Sequence, residues 1–463
     1  MSLAILDSRS AAFRRFLDAM LRRRGAAGAS LDAAVAKIIA AVRRRGDRAL
    51  LEFGARFDRV KLTPARLRVR PAEMEAARHA LAPAERRALE LAARRIREFH
   101  RRTLGRSFHY RDASGMRLGQ TVRPLARVGI YVPGGQGAYP STVLMNAIPA
   151  RVAGVDEIVM VSPPSPAGDS AAVLAAAAIA GVDEFYRAGG AQAIAALAYG
   201  TRTIGAVDKI VGPGNAWVQT AKRMVYGAVD IDKIAGPSEV LVIADQSARA
   251  DWIAADLIAQ AEHGSGDEAA LLLTPSRATA ERVAAAIEKA LADLPRAAAV
   301  RRAFNRRGAL VVVDNLEEAF ALANRIAPEH LELELKNAPR WSKRVRAAGA
   351  VFVGEHSPAP LGDYLAGPNH VLPTGGAARF ASPLGAYDFV ARTSTIEASA
   401  RTIEKLGPAV VRLARMEGFE GHARAVELRL ERKSARAGRR RQDGGKNRDQ
   451  KRPEPVTQNA RDR

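Results

Sequence analysis

The sequence predicts an α/β protein with helical segments at both ends, and three observations carry that expectation. Short apolar runs alternate with alanine-rich helical stretches from Val128 to Val353. Several of those runs close in glycine-bearing turns. The flanking segments, before Val122 and after Thr402, space their apolar residues at three and four. A chain of 463 residues can hold two or three domains, each with its own core.

Residues 1–125 read mostly as amphipathic helix, most clearly over Asp32–Arg45, Pro71–Leu81 and Pro83–Leu104. A strand follows at Val128–Val132 and closes in Pro133–Gly137. Glu157–Ser162 and Glu184–Tyr186 are strands, with helices at Asp169–Ala180 and Gln192–Tyr199. Lys209–Val211 is a strand that ends in Gly212-Pro213-Gly214-Asn215. A second series runs through strand Val240–Ile243, helix Ala250–Glu262, strand Ala270–Leu273, helix Ala278–Leu291 and strand Ala309–Val313. Helix Leu316–Ile326 should stop before Pro328, which biases Ala327 away from helix. Ala350–Val353 is the last strand, and helices return at Thr402–Met416 and His422–Leu430. Beyond Lys433 almost no apolar residue remains, so residues 433–463 read as a disordered basic tail.

Composition excludes several chemistries. With no cysteine there are no disulfides, thiolate zinc sites or cysteine nucleophiles, and any aldehyde oxidation must proceed without a thiohemiacetal. Met1–Asp7 lacks the basic start and apolar run of a signal peptide, and Ala171–Val182 is too short to span a bilayer. A cytoplasmic location is the expectation. The net charge of +23 is shared between the tail and arginines of the first 130 residues, without aromatic interleaving or a nucleic-acid motif. It argues for weak polyanion attraction only.

Chemistry-bearing residues gather in the later part. Ala327-Pro328-Glu329-His330 sets a carboxylate beside an imidazole at an element boundary, two bases able to take a proton from an alcohol and to activate water. By itself the pair reads more readily as a helix stop with solvated side chains. Gln260 and His263 share one face at a helix end, which suits a metal or plain surface capping. Asp363 and His370 lie in a turn-rich loop; Glu417 and His422 flank the last helix boundary; His356 reads as a loop residue. Gly264-Ser265-Gly266-Asp267-Glu268-Ala269 fits a dinucleotide pattern but follows a helix and precedes a strand, the wrong order for a phosphate loop. Pro133–Gly137, Gly189-Gly190 and Gly212–Asn215 follow strands and could line a nucleotide cleft, with ligands at the carboxyl ends of the strands.

Seven blocks resemble the histidinol dehydrogenase family. They are Tyr131–Gly135, Gly189–Ala198, Val211–Asn215, Ala235–Leu241, Gln260–Gly264, Ala327–Leu331 and Gly362–Thr374. The resemblance runs in order from about residue 30 to 431. It implies two incomplete Rossmann-like α/β domains with helical N-terminal and C-terminal extensions. The expected layout is an extension at 1–26, a discontinuous catalytic domain at 27–130 and 239–384, and a cofactor domain at 131–238. A C-terminal segment at 385–432 would complete a partner's site, ahead of the tail. The implied activity is NAD-dependent oxidation of L-histidinol through L-histidinal to L-histidine, in a homodimer holding one zinc ion per subunit. By resemblance Gln260, His263, Asp363 and His422 bind zinc and Glu329 and His330 are the catalytic bases. Ser238, His370 and Glu417 join His330 and the zinc ligands against the substrate, and Tyr131, Gln192 and Asn215 contact NAD. The alternatives are a relative acting on another alcohol, such as a sulfonated propanediol, a zinc hydrolase, and a basic nucleic-acid-binding protein.

Overall fold

The computed structural model describes residues 3–22, 29–134, 137–263 and 266–443. The chain divides into two units, one of residues 1–104 and 124–391, the other of 105–123 and 392–463.

The first unit holds two six-stranded sheets. One runs, edge to edge, through Arg68–Val69, Glu184–Arg187, Glu157–Ser162, Arg127–Tyr131, Lys209–Val211 and Asp230–Ile231. All its pairings are parallel except that of Arg68–Val69. The other, parallel throughout, runs through Ile5–Asp7, Gly308–Val312, Ala269–Thr274, Glu239–Ala244, His330–Glu334 and Ala350–Val353. Each sheet is apolar on both faces and covered by helices, as parallel sheets must be.

Most expected elements are present within a few residues, and the departures have physical causes. Helix Pro140–Ala153 is buried all round, so no amphipathic period marks it in the sequence. Strand His330–Glu334 alternates polar and apolar residues yet is buried at all five positions, because it lies between two other strands. Residues 1–125 are mostly helix, as expected, but Phe108–Arg111 and Arg117–Pro124 are strands, in a three-stranded sheet with Val390–Glu397.

The second unit contains most of that sheet and two helices, Ala400–Met416 and Glu420–Asp443. The last helix runs into the stretch assigned to the tail, and residues 444–463 lie outside the described residues. No helix among the described residues is long and apolar enough to cross a membrane.

Candidate active site

Helix Leu316–Ile326 ends where proline demands, with Ala327 in the left-handed region at φ 53°. Pro328 and Glu329 then lead into the strand that His330 opens. The pair is not displayed to solvent, as the sequence suggested: Glu329 is 6% exposed and His330 4%. Both turn toward the start of the neighbouring strand. The Glu329 carboxylate accepts the backbone N–H of Glu239 at 2.9 Å, and Ser238 lies beside it. His330 Nδ1 donates to the Glu239 carbonyl oxygen at 3.1 Å, since a carbonyl can only accept. Nε2 is therefore the basic nitrogen of the neutral ring, and it faces the Asp363 carboxylate at 3.8 Å.

Charge and burial compete here. Burial disfavours the imidazolium of His330, but Glu329 and Asp363 outweigh it and raise the pKa to about 9. Burial pushes the Glu329 carboxyl up, while His330 and the Glu239 N–H draw it back. Asp363 is held low because its contact with His330 overcomes its burial. Glu239, which the sequence did not single out, adds a further carboxyl with a buried, unpartnered Oε2 among the described residues. Burial and then the charge of Glu329 push it up to about 7.

His370 Nδ1 donates to the Asp363 carbonyl at 2.9 Å, and its Nε2 lies 3.5 Å from the Thr142 hydroxyl. Asn369 fixes this loop by donating to the Met145 carbonyl at 2.6 Å. At the end of helix Ala250–Ala261 the Gln260 amide lies 3.0 Å from His263 Nδ1. His263 and His370 both lie near enough to Asp363 to influence its carboxyl, so Gln260, His263 and Asp363 belong to one neighbourhood. Among the described residues no three His, Asp or Glu side chains gather as a metal centre by themselves. The donor set still suits zinc: an imidazole, a carboxylate and an amide, with no competing thiolate. His356 is 80% exposed, beside Glu355. Glu417 and His422 lie in the second unit and are exposed.

The nucleotide turns line one cleft of about 960 Å³, bordered by Tyr131, Pro133, Gly134, Gln192, Asn215 and Trp217. Gly135 and Gln136 of the first turn, and Gly264 and Ser265 of the rejected phosphate loop, lie outside the described residues. The cleft sits at the carboxyl ends of its sheet, as expected. Glu329 and His330 lie elsewhere on their sheet: they stand at the amino end of their strand, beside Ser238 and Glu239 at the start of the neighbouring one. Tyr131 Oη accepts the N–H of Gly190 at 3.2 Å. Gln192 is 2% exposed, and its Nε2 has no partner among the described residues, leaving a buried donor for a ligand. Asn215 Oδ1 caps helix Ala216–Val225, placing a helix N-terminus in the cleft.

Comparison with known proteins identifies the family. The family model for histidinol dehydrogenase matches residues 21–430. A histidinol dehydrogenase of Aromatoleum aromaticum is 53% identical over 92% of this chain and 97% of its own. One of Bordetella parapertussis is also 53% identical, with the same coverage. The crystal structure of histidinol dehydrogenase from Elizabethkingia anophelis is 34% identical with a TM-score of 0.86, covering 91% of this chain and 96% of that one. This chain belongs to the histidinol dehydrogenase family.

Proposed function

We propose that this chain oxidises L-histidinol to L-histidine in two NAD-dependent steps, with Glu329 and His330 dividing the proton transfers. The observation that carries this is the tautomer of His330: Nδ1 is committed to the Glu239 carbonyl, so Nε2 is the base. His330 Nε2, once its ring is neutral, takes the hydroxyl proton as the alcohol carbon gives up hydride to the dinucleotide; with its pKa raised to about 9, this step is favoured at alkaline pH. Glu329, buried and oriented by the Glu239 N–H, removes a proton from the water that adds to the aldehyde. His330 then accepts the hydroxyl proton of the hydrate as the second hydride leaves. The absence of cysteine supports this water route over a thioester.

Gln260, His263 and Asp363, with His422, would hold zinc. Bound there, zinc supplies a Lewis-acid template for the substrate's amine and imidazole nitrogens. His370 and Ser238 line the substrate side, and Glu417 pairs with its cation. Tyr131, Gln192 and Asn215 receive NAD; the unpartnered Gln192 amide and the helix N-terminus that Asn215 caps at the cleft support that placement.

The working form is a homodimer in the cytoplasm, in which the segment bearing Glu417 and His422 completes the partner's site. Support comes from the apolar side chains exposed around Glu417 in the second unit: Leu413, Met416 and Phe419 are 58%, 82% and 51% exposed. The test is NADH formed per molecule of limiting L-histidinol. Two establishes the four-electron reaction; one removes Glu329 from its role; none from folded, zinc-loaded protein removes histidinol as substrate. Mixing His422→Asn and Glu329→Gln chains tests the shared site, because a mixed dimer regains one intact site only if the segment crosses over.

A further inference from the structure

Lys222 is fully buried, an unusual place for an ammonium unless it is paired and hydrogen-bonded. It forms an ion pair with Asp232, and both side chains are 1% exposed. Its Nζ also donates to the Gly212 carbonyl at 2.8 Å. The other Asp232 oxygen accepts the Gly212 N–H at 2.9 Å. Both polar groups of one residue in the cofactor turn are thus held from behind by a single buried pair. Gly212 has no freedom in the remaining direction. Its φ is +111°, and a Cβ there would stand 2.2 Å from the carbonyl oxygen of Tyr131. The next residue, Lys233, donates to the Val371 carbonyl at 3.1 Å, and Val371 follows His370 in the chain.

A buried ion pair is weak evidence for stability, since an apolar pair of similar volume often serves as well. An apolar pair could not fix the peptide groups of Gly212. We propose that Lys222 and Asp232 are positioning residues for the dinucleotide. They set the Gly212 turn, and through Lys233 hold it in register with the loop carrying His370. This rests on the reading that the cleft receives NAD.

The test uses full-length zinc-loaded protein and the variant Lys222→Met/Asp232→Asn, which removes the ion pair without leaving a lone buried charge. The expected result is a KM for NAD raised roughly tenfold or more, with the KM for L-histidinol and the zinc content within about twofold of wild type. Titrating NAD against intrinsic tryptophan fluorescence, to which Trp217 in the cleft contributes, should show the same loss of affinity. Lys233→Met should lower kcat severalfold with both KM values nearly unchanged. If the double variant does not fold, Lys222→Gln/Asp232→Asn, likewise without a lone buried charge, is expected to show the same split. An unchanged KM for NAD, or both KM values rising together as Tm falls, would overturn the proposal. Failure of wild-type protein to bind NAD would overturn the cofactor reading itself, and the clamp with it.

Discussion

His330 Nδ1 lies 3.1 Å from the carbonyl oxygen of Glu239, and that one contact decides which nitrogen of the imidazole is the base. Glu329 is bound to the N–H of the same residue. The main chain of Glu239 therefore orients both side chains of the proposed catalytic pair, a role that no side-chain motif announces.

Replacing His330 with Asn should lower kcat by roughly 10²–10⁴-fold with little change in the KM for NAD. Glu329→Gln should slow the second oxidation more than the first, so that single-turnover traces show one fast NADH followed by a slow one. Equal loss in both phases would assign Glu329 a purely structural part.

Removing metal with a chelator should abolish turnover, and zinc should restore it. His263→Asn and Asp363→Asn should each lower the zinc bound per chain in metal analysis of the purified protein. Full zinc occupancy in both variants would place the ion elsewhere.

Glu239 offers a pH test whose sign follows from its raised pKa of about 7 against an ordinary 4.5. Between those values the folded state binds more protons than the unfolded one, so this group's contribution to stability falls as pH rises. Glu239→Gln should therefore stabilise the protein at pH 8 by on the order of 1–2 kcal/mol and have little effect at pH 4.5, as read from urea midpoints.

His100 gives the opposite slope. It is 1% exposed, neither ring nitrogen has a partner among the described residues, and burial lowers its pKa to about 4. Between pH 6.5 and 4 the unfolded chain binds a proton that the folded one refuses, so stability falls as pH drops. His100→Leu should remove about 2 kcal/mol of the wild-type loss between pH 7 and pH 5, measured by denaturant unfolding.

Much of this was legible in the sequence. Strands Glu157–Ser162, Lys209–Val211 and Ala350–Val353 and helix Leu316–Ile326 fall where apolar period and proline place them. The cleft-lining turns were visible as glycines after strands. Helix Pro140–Ala153, the small three-stranded sheet and strand His330–Glu334 were not. The enclosed helix needs no alternation of polar and apolar residues, so periodicity has nothing to detect there. Strand His330–Glu334 alternates, but its glutamates are buried, which nothing in the local pattern leads one to expect, and Phe108–Arg111 is exposed at all four positions and buries no apolar face.

By itself the sequence determined the residue types available to the chemistry: no thiol, a Glu-His pair behind a proline, and histidines, acids and amides suited to zinc. It also determined the alternation that makes parallel sheets. Only the tertiary structure decided that Glu329 and His330 are buried and share the main chain of residue 239, 90 positions and more away. It likewise set Lys222 and Asp232 behind Gly212. Such contacts depend on strand order and on which backbone groups a sheet edge leaves unpaired. Those are properties of the packed chain, fixed when the sheets close, and no local pattern of side chains encodes them.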